Sequence, residues 1–167
     1  MATLSLKGKT IHSKGELPKI GTQAPDFELA AADLSDKTLN DYKGFRVIMN
    51  IFHSIDTGTC AASVRQFNKE ASKLNNTKIL CISKDLPFAM ARFCGAEGID
   101  NVETLSDFRN GNFGESYNLT YVDGPIRGLL ARSIIILDEN GKILHTEQVQ
   151  EVVEEPNYKA ALAALQA

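Results

Sequence analysis

The stretch from Val47 to Cys60, VIMNIFHSIDTGTC, decides how the rest of the chain is organised. Its first six residues form an apolar, β-prone run of the length expected for a strand buried on both faces. The residues between that run and Cys60 are polar and typical of a turn. The apolar residues that follow recur at the spacing of one helical face: Val64, Phe67, Ala71 and Leu74.

This arrangement favours a reactive cysteine, because Cys60 falls in the first turn of a helix that follows a buried strand. Unpaired backbone N–H groups and the helix dipole stabilise a negative sulfur there and lower the pKa of the thiol. Ionising a thiol almost fully at neutral pH takes about 3.4 kcal/mol, whereas a helix terminus supplies at most ~2 kcal/mol. We therefore expect a hydroxyl donor and a fixed cation beside the sulfur.

Length and charge narrow the class of protein. The chain has 167 residues, three of them cysteines, and carries 18 Lys and Arg against 21 Asp and Glu. One domain is the natural expectation, and a net charge of −3 without a basic run argues against binding to nucleic acid or to an anionic membrane. No stretch approaches a membrane span, and the first 19 residues lack the apolar centre of a signal peptide. Three cysteines are too few for a secreted disulfide framework, so we expect a cytoplasmic protein.

Outside the central stretch, the pattern predicts alternating strands and helices. LSLKGKTIH predicts a hairpin around Lys7-Gly8-Lys9, and residues 34–43 predict a turn and a short helix. The predicted strands after the hairpin are 27–29, 47–52, 78–82, 102–105, 133–137 and 142–148. The helix after Cys60 joins two of these strands, which implies a right-handed crossover between parallel neighbours. We therefore predict an α/β, thioredoxin-like fold with an added N-terminal β-hairpin.

Two further helices are predicted in the second half of the chain. A helix over Phe88–Phe93 is expected to take Ser83 or Asp85 as its N-cap and to stop at Gly95. The chain then closes with a helix that begins at Pro156.

The three cysteines differ in what their surroundings favour. Cys60 is either a reactive thiol or a small buried hydrophobe, and its polar flanking loop favours reactivity. Cys94, near the end of a predicted helix, fits a core position or a second reactive thiol. Cys81 lies inside the apolar run KILCI and is expected in the core.

Three separate blocks of the chain resemble the bacterial thiol peroxidase family, which consists of peroxiredoxins of the atypical two-cysteine kind. The blocks are FHSIDTGTCAASVRQFN, LCISKDLPFAMARFCGAEG and DGPIRGLLARS, and they agree with the family in identity and in order. The likeness extends over essentially the whole chain. Residues 1–167 are therefore expected to form one thioredoxin-like domain of the peroxiredoxin type.

The resemblance implies a thioredoxin-dependent peroxidase for antioxidant defence. Cys60 would attack the terminal oxygen of a hydroperoxide and become a sulfenic acid, and Cys94 would condense with it to give an intrachain disulfide that a thioredoxin reduces. Alkyl hydroperoxides and hydrogen peroxide would be the substrates of a homodimer that needs no cofactor. Because a disulfide needs Cα atoms within roughly 7 Å, we predict that the helices carrying both cysteines unwind locally on oxidation.

Thr57 and Arg132 receive their roles from the same resemblance. Thr57 would hydrogen-bond the sulfur and the peroxide, and Arg132 would hold the thiolate and the peroxide oxygens. Both roles agree with the need for a hydroxyl and a cation, and a guanidinium fork suits two adjacent oxygens. Spacing alone leaves Arg65 and Arg127 as competing cations.

His53 departs from the resemblance, because peroxiredoxins usually have proline seven residues before the reactive cysteine. The imidazole either faces the sulfur or the peroxide leaving group, or it points at solvent or at a partner subunit. We assign it to a predicted substrate pocket together with Ile126 and Leu129, whose apolar side chains suit an alkyl hydroperoxide.

Three other functions would use the same residues. His53 and the three cysteines supply the ligand types of a metal site, but the short paired spacings of a zinc site are missing, so we predict no metal. A thioredoxin-like disulfide reductase would need C-x-x-C, and position 57 is threonine. A redox sensor would use the same thiol without turnover, so sustained peroxide consumption separates an enzyme from a sensor.

Overall fold

A computed structural model describes residues 1–166 as an α/β fold built on a seven-stranded sheet. The strands are β1 (Ala2–Leu6), β2 (Lys9–Ser13), β3 (Glu28–Ala31), β4 (Asp36–Thr38), β5 (Arg46–Ile51), β6 (Thr77–Ser83), β7 (Glu103–Ser106), β8 (Ser133–Leu137) and β9 (Ile143–Gln148). The helices are α1 (Gly58–Ala71), α2 (Pro87–Glu97), α3 (Asn112–Ser116) and α4 (Tyr158–Ala164). Within residues 1–166, no helix is both long enough and apolar enough to cross a membrane.

The sheet has the order β4-β3-β7-β6-β5-β8-β9. Strands β5, β6 and β7 run parallel to one another, whereas β3, β4, β8 and β9 are joined by antiparallel pairing. The predicted parallel pairing of the strands on either side of α1 is confirmed. Helix α1 therefore starts at the carboxyl end of β5, which pairs with the central strand, β6.

Two apolar clusters cover the two faces of the sheet. Successive side chains of β8 alternate between them: Ile134 and Ile136 lie in the helix-face cluster, and Ile135 and Leu137 lie in the hairpin-face cluster. The helix-face cluster also holds Cys60 and Cys81, with residues of α1, α2 and α4. The hairpin-face cluster holds residues of β1 and β2 and of the segment 113–131. Both faces are buried, which explains the continuous apolar runs of the central strands.

The N-terminal hairpin forms as predicted and fixes a distant segment. Lys7 and Gly8 form its two-residue turn with φ values of 51° and 80°, a conformation that glycine adopts freely. The Glu151 carboxylate accepts hydrogen bonds from the Ser5 hydroxyl at 2.7 Å and from the Lys7 N–H at 2.9 Å. These bonds lower the pKa of Glu151 to about 2. The hairpin thereby positions Val152, the residue after Glu151, through a bond from the Val152 N–H to the Ser5 carbonyl.

Helix α2 differs from the prediction at both ends. It continues through Gly95 and stops at Gly98, whose φ of 66° gives the left-handed cap that ends a helix. Its N-cap is Leu86, followed by proline at the first helical position, so the prediction of Ser83 or Asp85 as N-cap was wrong. Asp85 forms tertiary bonds instead.

The segment 34–43 also contains more structure than predicted. A 3-10 turn over Leu39–Tyr42 is present, but the polar strand Asp36–Thr38 precedes it and pairs with β3. The strand is short and polar because it lies at the edge of the sheet, where the period-2 apolar pattern of an inner strand is not required.

Candidate active site

The loop between β5 and α1 is held by a carboxylate from the next βα connection. Asp85 accepts hydrogen bonds from the Ser54 hydroxyl at 3.0 Å and from the Ile55 N–H at 2.7 Å. It also accepts one from the Ser83 hydroxyl at 2.6 Å. Two parallel strands end side by side here, so their following loops can bond to each other. Sequence analysis missed this role of Asp85, because no local pattern links residues 31 positions apart.

Cys60 lies in the opening turn of α1 with no solvent-exposed surface. Burial disfavours the thiolate and would raise the pKa of Cys60. A hydrogen bond from His53, the charge of Arg132 and the Thr57 hydroxyl favour the thiolate more strongly, and together they bring the pKa down from 9.0 to about 7. A hydroxyl and a cation thus both lower the pKa of the Cys60 thiol, and an imidazole adds to their effect.

The imidazole of His53 faces the sulfur. Its Nδ1 lies 3.7 Å and its Nε2 lies 3.8 Å from Cys60 Sγ. The residue as a whole is half-buried, whereas Cys60 is fully buried. Of the two interpretations of His53, the structure supports the one in which the ring contacts the reactive atom.

Arg132 is an almost fully buried cation at the entry to β8, with 1% of its surface exposed. Its Nε donates a hydrogen bond to the Val152 carbonyl at 2.9 Å, which fixes the plane of the guanidinium. Among the described residues, neither of its terminal nitrogens has a hydrogen-bond partner. Burying a donor without a partner costs free energy, so the two terminal nitrogens of Arg132 favour the binding of an anionic or oxygen-rich ligand.

Two tyrosines that sequence analysis did not identify also lie within electrostatic range of the sulfur. Burial raises the pKa of Tyr121 to about 12, and the charges of both Arg132 and Cys60 influence it. Its hydroxyl is buried without a hydrogen-bond partner in the part of the chain that the structure describes. Burial also raises the pKa of Tyr158, which bonds to Glu155 at 2.8 Å and responds to the same two charges.

Two threonines anchor the start of α1. The Thr57 hydroxyl donates to the Ser54 carbonyl at 2.8 Å and also lowers the pKa of the Cys60 thiol. A hydroxyl has one proton, so Thr57 can give it to the carbonyl or, after rotation, to the thiolate. The Thr59 hydroxyl donates to the Val153 carbonyl at 2.9 Å. Arg132 and α1 are thus tied to neighbouring carbonyls of one segment.

The other two cysteines occupy different surroundings. Cys94, in the last part of α2, is half-buried at the edge of the helix-face cluster, and burial raises its pKa. Cys81 is fully buried in that cluster, and burial raises its pKa to about 12, so the prediction that it belongs to the core is confirmed. Within residues 1–166 all three thiols are free.

The two competing cations, Arg65 and Arg127, are in other surroundings. Arg65 bonds to Glu97 through two nitrogens at 2.8 and 3.1 Å and stacks over the Phe93 ring at 5.5 Å, which joins α1 to α2. Arg127 is exposed. Arg132 is therefore the arginine whose charge lowers the pKa of Cys60.

The apolar residues of the predicted pocket pack against a different apolar cluster from the one that contains Cys60. Ile126 and Leu129 are partly buried against the hairpin-face cluster, whereas Cys60 belongs to the helix-face cluster. Their contact with substrate stays a prediction. In residues 1–166, no three His, Cys, Asp or Glu side chains are grouped to hold a metal ion.

Comparison with known proteins agrees with this geometry. The chain matches the Redoxin family over residues 19–162. It is 49% identical to the thiol peroxidase of Corynebacterium glutamicum over 165 residues, which cover 99% of this chain and 99% of that protein. The crystal structure of a peroxiredoxin-like protein from Aquifex aeolicus has a TM-score of 0.91 at 32% identity, covering 98% of this chain and 96% of that one. A thiol peroxidase from Chromobacterium violaceum, at 20% identity and a TM-score of 0.90, covers 98% and 95% and shares the fold.

These matches show the class of protein to which the chain belongs: it is a redoxin with a thioredoxin-like fold and an N-terminal hairpin. Within that class the chain belongs to the bacterial thiol peroxidases of the peroxiredoxin type, which are peroxidase oxidoreductases. The predicted fold class, family and type of enzyme are confirmed.

Proposed function

We propose that the protein reduces hydroperoxides, alkyl hydroperoxides and hydrogen peroxide among them, through a peroxidatic Cys60 that Cys94 resolves and thioredoxin recycles. The observation that carries the proposal is the setting of Cys60. It is a buried sulfur with a pKa of about 7, and its neighbour Arg132 has two buried terminal nitrogens for which the described residues supply no partner.

In the first step the Cys60 thiolate attacks the terminal oxygen of the hydroperoxide. The S–O bond forms as the O–O bond breaks, the sulfur is oxidised to a sulfenic acid, and the leaving alkoxide takes up a proton to become an alcohol. Two free nitrogens of Arg132 suit the two peroxide oxygens, and fixed donors stabilise the charge that develops as the O–O bond breaks. The Thr57 hydroxyl supplies a further donor by rotating from the Ser54 carbonyl.

In the second step the Cys94 thiol attacks the sulfenic acid, which forms the intrachain disulfide and releases water. The two sulfurs lie on different helices, so the last turns of α2 must loosen first. A thioredoxin dithiol then reduces the disulfide. Cys94 lines a shallow surface groove with Asp33, Lys37 and Glu103, where a reductant can approach it. Free thiols persist in a reducing compartment, so we propose the cytoplasm as the location and antioxidant defence as the role.

A homodimer is part of the proposal. Leu86, Phe88 and Phe108 are large apolar side chains with exposed fractions of 51%, 64% and 39%. They flank the backbone that carries Asp85, because Ser106 donates a hydrogen bond to the Asp85 carbonyl and accepts one from the Phe108 N–H. Apolar side chains gathered beside a functional loop suit a second copy of the chain. Sedimentation of Phe88→Glu as a monomer, and of the wild type as a dimer, is the expected result.

Peroxide consumption coupled to NADPH through thioredoxin and its reductase tests the cycle. The wild type is expected to consume many equivalents of cumene hydroperoxide. Cys94→Ser should be oxidised about once and then stall with a sulfenic acid at Cys60. Mass spectrometry of the wild type after one equivalent of peroxide should locate a bond between Cys60 and Cys94.

A single stoichiometric burst from the wild type would instead favour a redox sensor and contradict the proposed enzyme cycle. A Cys60–Cys81 bond, or oxidation confined to Cys94, would overturn the assignment of the resolving thiol.

A further inference from the structure

We propose that His53 is a catalytic residue of the first step, and that its imidazolium donates the proton that converts the leaving alkoxide into an alcohol. The inference rests on the proposed role of Cys60 and adds a group that the two-cysteine scheme does not contain.

The geometry brings the ring to the reacting atoms. Both ring nitrogens lie within hydrogen-bonding distance of the sulfur, at 3.7 and 3.8 Å. An imidazole this close to the sulfur is within reach of a peroxide oxygen that bonds to Cys60. His53 is half-buried while Cys60 has no exposed surface, so His53 is the more accessible of the two to the water that would reprotonate it between turnovers.

The other groups around the sulfur are poor proton donors at neutral pH. Arg132 does not release its proton in proteins, and a threonine hydroxyl such as that of Thr57 is too weak an acid. Burial raises the pKa values of Tyr121 and Tyr158, so both phenols hold their protons firmly. Among the described groups that influence the sulfur, His53 is therefore the one of a residue type that commonly serves as a general acid.

The step balances with the imidazolium as the acid. The thiolate of Cys60, the hydroperoxide and the His53 imidazolium give a sulfenic acid, an alcohol and a neutral imidazole. The sulfur is oxidised by two electrons, and the O–O bond accepts them. Water protonates the imidazole before the next turnover.

Peroxides that differ in their leaving groups test the proposal. An alkoxide leaving from tert-butyl hydroperoxide needs a proton, whereas acetate leaving from peracetic acid does not. His53→Gln keeps an N–H donor near the sulfur but has no proton to transfer. The first oxidation of Cys60, followed by rapid quench and mass spectrometry, should slow about 10²-fold with tert-butyl hydroperoxide. With peracetic acid it should stay within about twofold.

His12→Gln is the matched control, because it removes an imidazole that bonds to Asp123 at the surface. It should leave both rates unchanged. His53→Ala supplies a second variant, in which added free imidazole should restore the reaction with tert-butyl hydroperoxide and leave that with peracetic acid unaffected.

Equal losses with the two peroxides, no loss with either, or no rescue by imidazole would each overturn the role of His53. These outcomes are distinguishable from failure of the proposed function, in which the wild type itself would not oxidise Cys60 rapidly with either peroxide.

Discussion

Cys60 and Cys81 lie in the same apolar cluster, and neither has any solvent-exposed surface. The pKa of Cys60 is nevertheless about 7, whereas that of Cys81 is about 12. Burial disfavours both thiolates, so burial cannot account for the difference. The polar neighbours of each sulfur decide it.

Cys81 has one polar neighbour of consequence, the Asn50 amide at 3.8 Å, which also donates to the Ser63 hydroxyl at 3.1 Å. A neutral amide cannot offset the loss of hydration. Cys60 instead has an imidazole, a guanidinium and a hydroxyl around it, together with the opening turn of a helix. A buried sulfur thus becomes reactive only where donors and positive charge replace the water that burial removes.

The largest contrast is expected from serine substitution. Cys60→Ser should abolish turnover, because an alcohol at this position remains protonated at neutral pH. Cys81→Ser should leave turnover nearly intact, since its sulfur takes no part in the reaction. Both are measured by NADPH consumption through thioredoxin. Full turnover by Cys60→Ser would falsify the assignment of the two sulfurs.

Removing the buried Arg132 guanidinium should bring the pKa of Cys60 closer to that of Cys81. Arg132→Met is expected to raise the pKa of Cys60 and to slow its first oxidation by about 10²- to 10³-fold. Arg132→Lys keeps the charge without the fork and should fall between this variant and the wild type. Alkylation of Cys60 by iodoacetamide as a function of pH reports the change. An unchanged alkylation profile in Arg132→Met would show that the guanidinium does not stabilise the thiolate.

The Cys60 and Cys81 thiols should also make the free energy of unfolding depend on pH in opposite directions. The pKa of Cys60 is lower in the folded chain, about 7 against 9.0, so its stabilisation is absent below pH 7, grows between pH 7 and 9 and is complete above pH 9. At full ionisation, Cys60 should raise the free energy of unfolding by about 2–3 kcal/mol. The pKa of Cys81 is higher in the folded chain, so this thiol costs stability only above pH 9, where the unfolded chain ionises.

Urea unfolding of the wild type, Cys60→Ala and Cys81→Ala at several pH values measures these contributions. The difference between the wild type and Cys60→Ala should grow from pH 7 to pH 9, while that for Cys81→Ala stays constant over this range. Parallel pH dependences for the two variants would contradict the opposite directions of the two pKa changes.

The smallest effect is expected where the helices of Cys60 and Cys94 meet. Arg65 on α1 and Glu97 on α2 form an exposed ion pair. In the proposed cycle, α2 loosens before Cys94 reaches the sulfenic acid. Glu97→Gln should speed disulfide formation by about twofold, because surface pairs contribute little. Rapid-quench mass spectrometry of the wild type and variant compares the rates. Slower disulfide formation in Glu97→Gln would mean that the pair guides the approach of Cys94.

Much of the fold could be predicted from short-range sequence. Apolar periodicity and turn chemistry predicted the hairpin, the inner strands and the helix that begins beside Cys60, because each signal lies within one or two elements. The end of α2 was mispredicted at Gly95, since a glycine pattern does not distinguish a helix interior from the left-handed cap, which falls at Gly98. The polar edge strand β4 was missed because it lacks an apolar alternation.

The residues of the candidate site also divide into those that could be predicted from the sequence and those that could not. Local sequence patterns were enough to predict that Cys60 lies in the first turn of a helix after a buried strand, and the resemblance of three blocks indicated Thr57, Cys94 and Arg132. The folded structure was needed to show that the His53 ring faces the sulfur, that Asp85 holds the loop and that Tyr121 lies in the same charged surroundings. Asp85 and Tyr121 come from segments far from Cys60 in the chain, and their positions depend on sheet order and on the packing of loops at one edge. His53 is only seven residues from Cys60, but the direction of its ring depends on the conformation of the loop, which local sequence does not specify.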